Sequence, residues 1–491
     1  MSMGNIELPA RLVATGIAGF DDILGGGFTP NRLYLIEGDP GSGKTTLALQ
    51  YLLEGRRLGE RGLYVTLSET KAELDGVAAS HGWTLDGINV CELIPSEENL
   101  LPEAQSRMFH PSEVELSETT RAVLEEVNRL QPTRVVFDSL SEMRLLAQNP
   151  LRYRRQILAL KQFFSGRRCT VLLLDDRTSD TLDLQLHSLA HGVVTLQQLA
   201  PEYGAERRRL RVVKLRGSKF RGGFHDFSIV RGGLEVYPRL VASEHRPGFL
   251  SGQLASGVPQ IDALLGGGFD YGTSALLIGP AGSGKSSLAL QYVFAAAERG
   301  ERGVVYTFDE SIMTLLARMD GMGINLRPHL ESGRIQVHQV DPAELSPGEF
   351  GHRVRQAVET QQARVVVIDS LNGYMNAMPE EQFLTIQLHE LLTYLGQQGV
   401  VTLLVVAQHG LLGSGMHTPV DASYLADSVV LFRYYEALGR IHRAISVIKK
   451  RSGAHEDTLR ELRLTSQGIW VGEPLTGYQG VLTGVPTISA S

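Results

Sequence analysis

GDPGSGKTTLALQY, Gly38 to Tyr51, returns as GPAGSGKSSLALQY, Gly279 to Tyr292. A short apolar run precedes each copy, RLYLIE in the first case and SALLI in the second. An apolar strand, a glycine-rich loop closing in GK[ST] and a helix together make a phosphate cradle. The glycines let backbone N–H groups face an anion with no Cβ in the way, and the helix directs its positive end at the same charge. Gly38, Gly41, Ser42, Gly43, Lys44, Thr45 and Thr46 therefore read as one nucleotide-binding set, and Gly279, Gly282, Ser283, Gly284, Lys285, Ser286 and Ser287 as a second. ATP with Mg²⁺ is the ligand this pattern suits: Lys44 and Lys285 would neutralise the β and γ phosphates, and Thr45 and Ser286 would hold the metal.

Working outward, the flanks repeat as well. ATGIAGFDDILGGGF (14–28) answers ASGVPQIDALLGGGF (255–269) at the same offset of 241 residues that separates Lys44 from Lys285. RGLYVTLSET (61–70) answers RGVVYTFDES (302–311), PTRVVFDSL (132–140) answers ARVVVIDSL (363–371), and VVKLRGS (212–218) answers VIKKRSG (447–453). A match sustained over such lengths points to duplication. The lysine-to-aspartate distance is 94 residues in the first half and 84 in the second, so an insertion is expected around Glu97 to Glu118.

Each half alternates apolar runs with longer mixed segments, the signature of α/β architecture with a mainly parallel central sheet flanked by helices. The runs lack polar alternation, as strands covered on both faces should. LSETTRAVLEEVNRLQ and GEFGHRVRQAVETQQ read as amphipathic helices ahead of the aspartate strands, the first with serine and threonine caps and the second with a weaker start. The domains are placed at 1–245 and 246–475, with a tail at 476–491. VLTGVPTIS (481–489) resembles the domain-opening LASGVPQID, which makes it the stub of a third repeat that docks or caps; a chain end without a fixed place is the alternative.

Composition narrows the class. Across 491 residues, 43% hydrophobic and 21% charged content fits a globular protein, and a net charge of −7 argues against a nucleic-acid coat. Two cysteines fit a reducing compartment, and no run is long enough for a membrane span, so the protein is read as cytoplasmic with no membrane partner.

The duplication also doubles the candidate chemistry. Asp138 and Asp369 end apolar strands, where a carboxylate suits Mg²⁺ or its water shell. Glu69 and Glu310 each follow their lysine by 25 residues and could polarise a water in line with the γ-phosphate. Asp309 adds a second acid beside Glu310, where the first half has Ser68. Lys214 with Arg216, and Lys449 with Arg451, lie at i and i+2, which gives each pair one shared face if its segment is a strand. Such pairs could reach the γ-phosphate of a neighbouring subunit as arginine fingers do, or form a solvated basic face.

Together these residues resemble the RecA-type ATPases, most closely the KaiC circadian-clock family. The resemblance is carried by Thr15–Gly27, Gly38–Gln50, Val65–Thr70, Phe137–Leu140 and Lys214–Gly217, and again by Ser256–Gly268, Gly279–Gln291, Thr307–Ser311, Ile368–Leu371 and Lys449–Gly453, nearly the whole chain. It implies two tandem RecA-like P-loop NTPase domains and a double-ring homo-hexamer with ATP between subunits. It also implies an N-terminal ring that mainly hydrolyses ATP, a C-terminal ring that autophosphorylates serine and threonine, and a regulatory protein partner. The family carries two adjacent glutamates where this chain has Ser68-Glu69 and Asp309-Glu310. Ser423 aligns with the acceptor serine, Tyr424 stands where threonine is expected, and Asp427 keeps the family aspartate. Three functions follow: an ATPase and autokinase; an ATPase switch without kinase output, which Tyr424 and Ser68 favour; and a DNA-binding RecA-like ATPase, whose best basic segment is NPLRYRRQ (149–156).

Overall fold

The computed structural model describes residues 11–93, 111–147, 149–177, 183–201, 203–245, 251–376, 384–408, 425–437, 439–483 and 487–488. The chain divides into two compact units, Met1–Arg239 and Leu240–Ser491.

In the first unit the strands are β1 (Leu33–Gly38), β2 (Gly62–Thr66), β3 (Ile88–Glu92), β4 (Arg134–Asp138), β5 (Thr170–Asp176), β6 (Gly192–Leu199), β7 (Arg207–Leu215), β8 (His225–Val230) and β9 (Gly233–Tyr237). They form one sheet in the order β3-β2-β4-β5-β1-β6-β7-β8-β9. The pairs from β3 to β6 are parallel, and those from β6 to β9 are antiparallel. Alternation along β1 explains the unbroken apolar runs: Tyr34 and Ile36 enter the core on one face of the sheet, Leu33 and Leu35 the core on the other.

The second unit opens with the short pair β10 (Gln253–Leu254) and β11 (Phe269–Asp270). Its main sheet uses β12 (Ser274–Gly279), β13 (Arg302–Thr307), β14 (Ile335–Gln339), β15 (Ala363–Asp369), β16 (Val401–Ala407), β17 (Ser428–Ala437), β18 (Arg440–Lys450), β19 (Arg460–Thr465) and β20 (Gly468–Pro474). The order β14-β13-β15-β16-β12-β17-β18-β19-β20 repeats the first sheet strand for strand. In both sheets the loop-bearing strand lies between two parallel neighbours, and the chain leaves it to pair elsewhere. That is the topological position where α/β sheets open a crevice at their carboxyl ends.

The repeated GGGF has a steric reason. Gly27 and Gly268 have φ of +127° and +135°, and a Cβ on either would stand 2.4 Å from Val13 O or 2.3 Å from Leu254 O. The longer first half is explained by the segment between β3 and β4, which holds the helix Pro111–Leu130; the second half offsets part of it with an extra short helix, Arg327–Glu331. The expected insertion at Glu97 to Glu118 falls in part outside the described residues. The helix Pro347–Glu359 has a firmer start than its sequence suggested: Ser346 Oγ accepts the Glu349 N–H at 3.2 Å, and Pro347 occupies the first turn. NPLRYRRQ opens the helix Pro150–Ser165, with Asn149 as its cap and Tyr153 turned inward. In the tail, Val481 is buried against Tyr435, Ala437 and Ala444, and β21 (Tyr478–Gln479) pairs with β22 (Thr487–Ile488). Among the described residues no helix is long and apolar enough to cross a membrane.

Candidate functional site

Each phosphate loop turns through glycines that hold a left-handed backbone. Gly43 (φ +97°) and Gly284 (φ +109°) cap the helices Lys44–Arg57 and Lys285–Glu298, so the helix amino ends face the crevice. A Cβ on Gly43 would lie 2.9 Å from Ile229 Cδ1.

The two loop lysines are held differently. Lys44 Nζ donates to Gly38 O at 2.8 Å and Asp39 O at 3.0 Å, and pairs with Asp176 Oδ1 at 2.8 Å. Asp176 ends β5 opposite Gly38; the matching position opposite Gly279 is Ala407. Lys285 Nζ donates to Pro280 O at 2.7 Å. Burial pushes its ammonium down to about 8, against a smaller upward pull from Asp369.

The strand-end aspartates come to their loops as expected. Asp138 Oδ2 accepts from Tyr64 OH at 2.5 Å and from Thr45 Oγ1 at 3.4 Å. Burial raises its carboxyl, and the Tyr64 bond and Lys44 only partly offset that. Asp369 is likewise raised by burial, and a bond from Ser286 and the charge of Arg318 pull the other way. A carboxylate beside the loop hydroxyl is a hard, all-oxygen donor set, the kind Mg²⁺ takes when phosphates complete its shell. Among the described residues no cluster of three His, Cys, Asp or Glu could hold a metal without such help. The residues fit the pair Mg²⁺ and ATP.

The acids after β2 and β13 are set by matched turns. Thr66 Oγ1 donates to Glu69 O at 2.8 Å and accepts the Glu69 N–H at 2.9 Å. Thr307 and Glu310 repeat this at 2.9 and 3.3 Å. Thr70 and Ser311 then cap the next helices. Beyond the shared turn the acids part ways. Glu69 Oε2 is buried with no hydrogen-bond partner among the described residues, and burial, then Asp138 and Glu73, raise its carboxyl. Both oxygens of Glu310 are taken by Arg318, from Nε at 3.2 Å and Nη2 at 2.6 Å. Asp309 Oδ2 accepts from Ser370 Oγ at 2.5 Å. A cavity of about 360 Å³ gathers Lys285, Ser286, Asp309, Glu310, Arg318 and Asp369.

Lys214, Arg216, Lys449 and Arg451 are placed elsewhere. Lys214 pairs with Val193 at the start of β6, whereas Gly38 lies level with Leu196 and so with Leu210. Four residues of strand, roughly 13 Å, separate Lys214 from the level of its own loop. Lys449 pairs with Val429, and Gly279 lies level with Phe432 and so with Ile445, giving the same displacement. Lys214 Nζ donates to His187 O, and Arg216 Nη2 to Ser188 O at 2.9 Å. Lys449 Nζ donates to Ala426 O at 2.7 Å, and Arg451 approaches Asp427 Oδ1 at 3.4 Å. Burial lowers both lysine ammoniums, with the neighbouring arginine adding to it. Ser423 and Tyr424 lie outside the described residues; Asp427, just beyond, accepts from Ser274 N–H at 3.0 Å and Ser274 Oγ at 3.2 Å.

Sequence reasoning missed five residues at these loops. Asp176 ends the apolar run CTVLLLDD (169–176), which matches no motif of its own. Tyr64 was read only as strand. Tyr434 OH and Arg443 Nε donate to the loop carbonyls of Ala281 and Gly282, at 3.1 and 3.2 Å, from a hairpin whose reach no local pattern announces. Arg318 was findable: the duplication aligns it with Val77, a change of class inside a repeat.

Comparison with known proteins agrees with this geometry. The family described as "ATPase: KaiC" matches residues 13–241 and 254–476. The circadian clock protein KaiC3 of Synechocystis sp. is 25% identical over 482 residues, covering 97% of this chain and 94% of that protein. The circadian clock oscillator protein KaiC of Parathermosynechococcus lividus is 26% identical over 480 residues, 96% of this chain and 87% of that protein. The circadian clock protein KaiC2 of Synechocystis sp. is 26% identical over 483 residues, with 97% and 84% covered.

Proposed function

The chain belongs to the KaiC family of tandem RecA-like P-loop ATPases, and from that premise we propose an ATP-driven homo-hexameric ring whose first sites hydrolyse ATP and whose second sites phosphorylate Ser423. The general activity, ATP binding and hydrolysis, is that of the family. Lys44 and Lys285 hold the β and γ phosphates, and the loop N–H groups of Gly41 to Thr46 and Gly282 to Ser287 complete the cradle. Thr45 with Asp138, and Ser286 with Asp369, would hold Mg²⁺, which would supply neutralisation of phosphate charge when bound. In the first half Glu69, its carboxyl raised and one oxygen without a partner, orients the attacking water. In the second half Asp309 is the base, because Glu310 is occupied by Arg318. There the Ser423 hydroxyl oxygen bonds to the γ-phosphorus, the bond to the β-phosphate oxygen breaks, ADP leaves, and Asp309 receives the proton.

One observation carries the ring. Lys214, Arg216, Lys449 and Arg451 lie at the sheet ends away from their own loops, so as phosphate-binding cations they do not serve the loop of their own sheet, which supports a neighbour's loop as their target. A ring in which each subunit completes its neighbour's site is the closed arrangement of such a head-to-tail interface. Its occupancy and phosphorylation would be what a regulatory protein partner reads. Tyr424, in place of the acceptor threonine, favours a second reading, an ATPase switch with no kinase output.

The test uses purified full chain, Mg²⁺ and γ-labelled ATP. Free phosphate and protein-bound label are counted in one tube, and the label is mapped. Label on Ser423 together with free phosphate is the expected result. Free phosphate over bare protein leaves the switch. Light-scattering mass should rise with nucleotide, and a monomer under all conditions ends the ring.

A further inference from the structure

Arg318 lies on the helix Ile312–Gly321, beyond the acid pair, and its guanidinium makes three bonds inside the second site. Two go to Glu310, and Nη1 donates to Ser287 Oγ at 2.8 Å. Ser287 is the residue after the metal-side Ser286, in the first turn of the phosphate-loop helix. The first half is built otherwise. Val77 stands at the matching position, and Thr46, the counterpart of Ser287, faces His81 Nε2 at 3.4 Å.

A guanidinium carries five N–H donors in a planar fork. Three are used on Glu310 and Ser287, a fourth approaches Met319 Sδ at 4.0 Å, and Arg318 lines the same cavity as Lys285 and the loop. The alternative, that Arg318 only neutralises Glu310, leaves unexplained why the fork is anchored on a loop-helix hydroxyl as well. A planar cation with a spare donor at the rim of a phosphate cradle suits phosphate oxygens.

We propose that Arg318 is a nucleotide-contacting residue of the second site alone, a cation supplied in cis that binds the phosphate side of ATP while keeping Glu310 from acting as a base. This rests on the ATP-binding reading above. It makes the two halves unequal: each retains nucleotide through its loop lysine and the basic pair of a neighbour, and the second has Arg318 in addition.

The test isolates the second site in the full chain carrying Lys44→Ala, and titrates it with a fluorescent ATP analogue and Mg²⁺. Arg318→Gln should weaken binding about ten- to hundredfold, the range of a lost charge-assisted bond. The double variant Arg318→Gln with Glu310→Gln removes both the cation and the charge it neutralises. If it stays as weak as the single variant, Arg318 touches nucleotide. If it regains the affinity of the Lys44→Ala chain, Arg318 serves Glu310 only and the inference fails. The single variant with Lys44 intact should still hold nucleotide at its first loop, which controls for folding. A Lys44→Ala chain that binds no nucleotide overturns the ATP-binding reading of the second loop and this inference with it, a pattern distinct from the regained affinity.

Discussion

At the scale of single residues, the two loop lysines set the halves apart most clearly. Lys44 has a carboxylate beside it in Asp176, whereas the carbonyl of Pro280 holds Lys285, and burial lowers the Lys285 ammonium to about 8. The sign follows from which form binds. Phosphate needs the protonated lysine, so below about 8 the site is ready, and above it each binding event must take up a proton. Affinity of the second site for ATP should hold steady from pH 6 to about 7.5, then fall by up to roughly tenfold per pH unit. For the fold the same burial works in reverse. The unfolded chain, with lysine near 10.5, holds more protons between about 8 and 10.5, so stability at this position rises through that window as the buried charge is lost. Titration of the Lys44→Ala chain across pH checks the binding half, and an affinity flat to pH 9.5 would contradict it. The duplicated sequence placed Lys285 in its loop; it could not show that the side chain is buried there.

Elements made of long-range pairings were the least legible. Parallel strands, the helices between them and the strand-end acids follow from local pattern, because each is a run of one composition ended by a turn. The five residues missed at the loops act across 31 to 161 positions, from Arg318 on Ser287 to Arg443 on Gly282, and contact at that distance leaves no periodicity. The tail is a further case. VLTGVPTIS was read as a stub that docks or as a loose end, and Val481 settles against the hairpin of β17 and β18 with 1% of its surface exposed. Replacing Val481 by alanine removes two methyl groups from a packed site, about 2 kcal/mol with the cavity term. The melting transition of the second unit should fall by roughly 4–8 °C. Calorimetry should show that transition alone moving, and an unshifted second transition would mean that Val481 adds nothing to the unit.

At the scale of the whole molecule, the open question of the sequence was whether the basic pairs are fingers or a solvated face. Their register excludes a third use, since neither pair reaches its own loop. Fingers supplied by a neighbour predict complementation that a solvated face does not. One chain would carry Lys214→Ala with Arg216→Ala and an intact first loop; the other would carry Lys44→Ala with intact fingers. Lys285→Ala in both silences the second sites. Each chain alone should lose most of its hydrolysis, since an arginine finger contributes about 10³-fold or more. Co-expressed with different tags and purified through both, they form interfaces of which about a quarter join an intact loop to intact fingers. Hydrolysis should return to about that fraction of a chain with Lys285→Ala alone. If doubly tagged assemblies form and stay inactive, the fingers do not act between subunits, and Lys214 and Arg216 are tethers for the carbonyls of His187 and Ser188. Recovery would show that the first-half site is a property of two chains, which is why one chain's sequence could name its residues without showing them assembled.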